Sequence, residues 1–173
     1  MTDLALLLLR VVTGGLLMGH GAQKLFGSFG GHGLAGTGQW LESIGLRPGK
    51  AWASGAGAGE FGGGLLTVLG LGGPIGAIMT TSAMKMATFK AHAGKPIWAT
   101  EGGAELPVVN IAVSTALLLT GPGRYSLDRL FGIKVPRWLS TLVMIGATAS
   151  VVTGILMEPE EAPAEQQAVG EAA

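Results

Sequence analysis

No cysteine occurs among the 173 residues. Disulfides, thiol redox chemistry, cysteine-ligated iron–sulfur clusters and covalent c-type haem are therefore excluded from this chain. Charge is scarce as well: 13% of residues are Asp, Glu, Lys or Arg, about half the share usual in a soluble domain. The 11 basic and 11 acidic residues cancel, and no basic patch is interleaved with aromatics, which argues against nucleic-acid binding. What the chain has instead is apolar length and glycine. Mean hydropathy is +0.49, and the 31 glycines follow no collagen period, so they must sit inside other elements.

Five apolar runs approach the roughly 20 residues a bilayer crossing takes: 4–21, 52–71, 74–91, 106–120 and 138–157. The first lacks a basic leader and carries Arg10 inside it, which reads as a retained span and not a cleaved signal. The fold class expected is thus an all-α integral membrane protein. "GLGGP" makes a hairpin of the second and third runs. The first two are joined by a glycine-rich loop in which "AGTGQWLESIGL" suits a short amphipathic helix. The end, "EPEEAPAEQQAVGEAA", is acidic and Pro/Ala-rich and is expected to be disordered.

Within "GAGAGEFGGG" (55–64), Gly57, Gly59 and Gly62 spell a dinucleotide-binding fingerprint. That fold needs a strand before the glycines and an acidic residue about 20 positions later. Here "LRPGKAWAS" precedes, and no Asp or Glu stands between Glu60 and Glu101, so the match is accidental. Gly55, Gly59 and Gly63 instead repeat every four residues, a spacing that lets helices approach closely in lipid.

Five crossings put the N-terminus, the "GLGGP" turn and the 121–137 loop on one side. The basic cluster Arg124, Arg129, Lys134 and Arg137 assigns that side to the cytoplasm. Most polar residues of the spans gather at the other side: His20 and Lys24, Glu60, Lys90 and His92, Glu101 and Glu105. Glu60 lies eight residues in from Trp52 and Lys85 seven before His92, depths of roughly 12 and 10 Å. An unpaired charge that deep costs about 3 kcal/mol or more. A Glu60–Lys85 contact is therefore expected, either as a functional pair or as a lock on the bundle. Arg10 is expected to snorkel to the opposite surface, its alternative being a role in binding. The four tryptophans suit an interfacial belt, and without a tight His/Glu spacing His20 and His92 read as hydrogen-bonded interfacial residues before a metal pair.

"GHGAQKLFGSFGGHGLAGTGQWLESIGL" (19–46), "GEFGGGLL" (59–66), "EGGAELP" (101–107) and "GPGRYSLD" (121–128) occur in the family's order. On these segments the chain resembles the DoxX family of small bacterial membrane proteins. The resemblance implies a four-helix transmembrane bundle over 1–130, to which 131–157 adds a linker and a fifth helix and 158–173 the acidic tail. It places His20, Gln23, Lys24, Glu60, Glu101 and Glu105 at the family's polar positions. His92 matches a histidine after the third helix, though "KAHAGKP" departs from the usual following residues. The implied setting is the bacterial plasma membrane, in an accessory subunit of a respiratory or oxidative-stress redox assembly. The alternatives are a thiosulfate:quinone-type oxidoreductase and a small-solute transporter. A quinone is the one cofactor suggested, since a slot between helices opened by small residues, near Glu60 and Lys85, offers His and carboxylate groups to exchange protons. Gly146, Ser150 and Gly154 are spaced for contact with a partner helix.

Overall fold

The computed structural model describes residues 1–158. α1 (Thr2–Phe26) ends at Gly27 in a left-handed conformation, and a 3-10 turn (Ser28–Gly30) leads to α2 (Gly33–Ser43). α3 (Gly49–Leu69) turns at Gly70 into α4 (Ile75–Met86), which continues as a π-helical turn over Ala87–Ala91. α5 (Glu105–Thr120), the short α6 (Leu127–Phe131) and α7 (Arg137–Leu156) complete the described residues, with no strand among them.

The central seam joins α1 to α3, and its sequence explains how close it is. Arg10, Gly14, Leu17, Gly21 and Lys24 recur at helical spacing on one face of α1, and Ala53, Gly57, Glu60, Gly64 and Thr67 do so on α3. A Cβ on Gly14 would lie 2.8 Å from the carbonyl oxygen of Gly64, and one on Gly21 would collide with the backbone of Phe61. The helices meet backbone to backbone because side chains are missing there. Gly63 packs likewise against Met79 and Thr80 of α4. α4 is joined to α5 by the buried hydroxyls of Thr80 and Ser114, 3.0 Å apart. Gly55 and Gly59, expected in the packed stripe with Gly63, border open space and the Ala83 side chain instead.

Arg10 does not snorkel. It is 2% exposed, and its guanidinium donates to the carbonyls of Thr67, Val68, Pro122 and Tyr125 at 2.6–2.9 Å. The first two are carbonyls of the last turn of α3, that of Thr67 also accepting from the Gly70 amide, and there a cation meets the negative end of the helix dipole. Next to it, Asp128 accepts from the amides of Gly72 and Gly73, and Asp3 accepts from the amide of Arg124. The N-terminus, the α3–α4 turn and the 122–128 segment therefore form one end of the bundle.

The exterior is apolar. Leu4, Leu8 and Leu16 of α1, Leu106, Val109 and Leu119 of α5, and Trp138, Leu142, Ile145 and Leu156 of α7 are all exposed. So much contiguous aliphatic surface suits lipid and not water. Two described helices, α1 and α7, are long and apolar enough to cross a membrane by length and composition, and 6% of the α7 window is buried. The sequence reading expected five such segments. α5 is apolar but has 16 residues, α4 has 12 before its π turn, and glycine dilutes the hydropathy of the 21-residue α3. The expected disordered tail lies outside the described residues except for Glu158.

Candidate functional site

Beside the α1–α3 seam, α7 packs against α4, with close contacts at its C-terminal end. Gly154 admits the Met86 side chain, and the Lys90 ammonium donates to the carbonyl of Met157 at 2.5 Å. Further along, α7 stands off from α3, and a cleft of about 640 Å³ opens between them. Gly55, Ala58 and Gly59 of α3, Met79 and Ala83 of α4, and Val143, Ala147 and Val151 of α7 give it smooth apolar walls. The absent side chains of α3 that looked like a packing stripe make room for this space. Trp40 and Trp52 line the end nearer α2, and Lys90 and His92 also reach the lining.

At that end stands an ion pair. Lys24 Nζ lies 2.5 Å from Glu60 Oε2, with the Lys24 side chain 25% and the Glu60 side chain 5% exposed. Lys24 continues the heptad spacing of Arg10 and Leu17 and so falls on the seam face of α1, while Glu60 falls on that of α3. The expected Glu60–Lys85 contact is corrected: Lys85 is exposed on α4, and Glu60 takes its counter-ion from α1. The depth argument matched the two residues along the bundle axis but did not fix the rotation of α4, which turns Lys85 outward.

The remaining polar residues divide. His92 lines the cleft and donates from Nδ1 to the Gly102 carbonyl at 2.6 Å, tying the π turn to the loop before α5. Gln23 hydrogen-bonds His20 at 3.1 Å and donates to the Phe29 carbonyl. Exposed His20 is not part of the cleft lining. Glu101 is exposed in the 3-10 turn Ala99–Glu101, and Glu105 accepts from the Ala99 amide at 2.9 Å, closing the same loop. The structure thus brings together Lys24, Glu60 and His92, with Gln23 adjoining, and leaves His20, Lys85, Glu101 and Glu105 outside the cleft lining.

Trp40 and Trp52, read from the sequence as an interfacial belt, line the cleft, as does Lys90, which the sequence placed in the polar gathering but not among the cofactor-binding residues. The signal for Trp40 was its place on the amphipathic segment that becomes α2. Of the α7 stripe, Gly154 packs against Met86 inside the chain, Ser150 lines the cleft, and Gly146 meets nothing within 4 Å.

The DoxX family model matches residues 5–93, from α1 through the π turn after α4. The chain belongs to the DoxX family. No curated protein and no solved structure matches it. The DoxX match contains both members of the ion pair and His92, while α5, α6 and α7 lie beyond it. In this DoxX protein one wall of the cleft therefore comes from outside the matched segment.

Proposed function

We propose that this DoxX protein is a multi-pass plasma-membrane subunit of a redox assembly, and that its cleft holds a lipid-soluble quinone. The observation that carries the reading is the apolar cleft of about 640 Å³ with the Lys24–Glu60 pair in its wall. Its size lies in the range of small-ligand sites, which combine mostly apolar walls with a few placed polar groups. The residues fit the class. A ring carbonyl accepts from the Lys24 ammonium, the indoles of Trp40 and Trp52 offer flat faces, and an isoprenoid chain lies along Met79, Val143 and Ala147. When bound, a quinone supplies two-electron, two-proton redox chemistry, and the protein fixes the head group and keeps its tail among apolar side chains.

In this reading all five apolar segments cross the bilayer, with the N-terminus and the 121–137 loop in the cytoplasm. The test is native mass spectrometry of the protein extracted in mild detergent. A quinone-mass adduct on the native chain, absent from Glu60→Gln, supports the site, and co-purified redox subunits support the accessory role. A bare chain with neither adduct nor partner rejects both.

A further inference from the structure

Another, smaller cavity of about 260 Å³ adjoins Lys24 of the ion pair. Gln23, Lys24, His32, Thr37 and Trp40 line it with the backbone at Gly30 and Gly31. Lys24 and Trp40 are common to both cavities. The smaller one is bounded by the 3-10 turn and the first turns of α2, where Gly30 and His32 are exposed, so it is open at that end of the bundle. Its volume has room for several waters, and the side chains of Gln23, Lys24, His32 and Thr37 are the polar groups they would meet.

We infer that this cavity is an aqueous port to the cleft, which puts the Lys24–Glu60 pair in proton exchange with water on the α2 side while Trp40 keeps water out of the apolar space. The inference deepens the quinone reading, on which its purpose rests, because a head group in the cleft then exchanges protons with one side of the membrane only. The exchange needs no further reactant: hydronium in the port hands a proton on and leaves as water, so atoms and charge balance. The other ionisable groups about the pair are His32 on the port side and Lys90 and His92 on the cleft lining, whereas α7 contributes Val143, Ala147, Ser150 and Val151.

The absence of cysteine makes the test clean. Thr37→Cys places a lone thiol in the port and Ser82→Cys one in the cleft, both in nanodiscs. A cationic, membrane-impermeant methanethiosulfonate is expected to label Thr37→Cys and to miss Ser82→Cys, which a lipid-soluble maleimide labels. Adding Trp40→Ala is expected to open Ser82→Cys to the impermeant reagent. The infrared carboxyl band of Glu60, identified by its loss in Glu60→Gln, should respond more slowly to a pH jump once the thiol at position 37 is modified. An inert Thr37→Cys, or an unchanged Glu60 response after modification, overturns the port. If Thr37→Cys does not fold, Gln23→Cys probes the same cavity. Native mass spectrometry of the unmodified variant reads the quinone separately: an adduct with an inert thiol rejects the port alone, and a reactive thiol without an adduct rejects the occupant alone.

Discussion

At the scale of single residues, two cations of α1 do opposite work from one helical face. Arg10 holds four carbonyl oxygens and so joins α1, the end of α3 and the 122–125 segment. A planar guanidinium with five donors can do this, and an ammonium on a flexible stem cannot. Arg10→Met should lower the stability of the detergent-solubilised protein by about 3–5 kcal/mol, the usual cost of stripping a partner from buried polar groups, and Arg10→Lys should recover little of it. Thermal unfolding followed by circular dichroism measures both. Lys24 and Glu60 behave differently, because they neutralise each other. Glu60→Ala or Lys24→Met alone leaves one charge in an apolar wall and should destabilise strongly. The double variant Lys24→Met, Glu60→Met should regain most of the loss, since replacing a buried pair by apolar groups is often neutral. If the pair also anchors a ligand, the double variant folds but carries no quinone adduct. A stable double variant that still binds would make the pair a lock on the seam and nothing more.

At the scale of elements, glycine has two roles in α3 that a stability scan separates. Gly64→Ala or Gly21→Ala forces a methyl into the facing backbone and should cost about 1–3 kcal/mol by overpacking. Gly55→Ala adds its methyl to open space and should leave the unfolding temperature unchanged or raised, because alanine favours helix over glycine. Equal losses at positions 55 and 64 would contradict this division. The same helix shows how far the sequence could be read. The apolar runs, the "GLGGP" turn and the amphipathic segment that became α2 were legible because local chemistry determines them. That Glu60 needed a cation was legible too, because burial demands one. Which cation it takes depends on the rotation of each helix about its axis, and that is set by packing: Gly14 and Gly21 bring α1 near enough for Lys24 to reach, while α4 turns Lys85 away. The cleft was not legible, because it lies between α3 and a helix more than seventy residues further along the chain.

At the scale of the whole molecule, the number of membrane crossings turns on α5. Its 16 residues span about 24 Å, short of the roughly 30 Å of a bilayer core. Yet Leu106, Val109 and Leu119 face outward, and a helix with so apolar a surface has no favourable place in water. If α5 crosses, the bilayer thins around it or Ile97 and Trp98, both exposed just before it, complete the apolar length. Between positions 93 and 124 the only helix of more than five residues is α5. Ala93→Cys and Arg124→Cys, each the sole thiol in its chain, should therefore react with an impermeant maleimide from opposite faces of the membrane, with position 124 shielded in intact cells. Labelling of both from one face would mean that α5 does not cross. The two ends of the bundle, one closed by Arg10 and Asp128 and the other opened by the Lys24–Glu60 pair, would then no longer face opposite compartments, and a port on the α2 side could not select one of them.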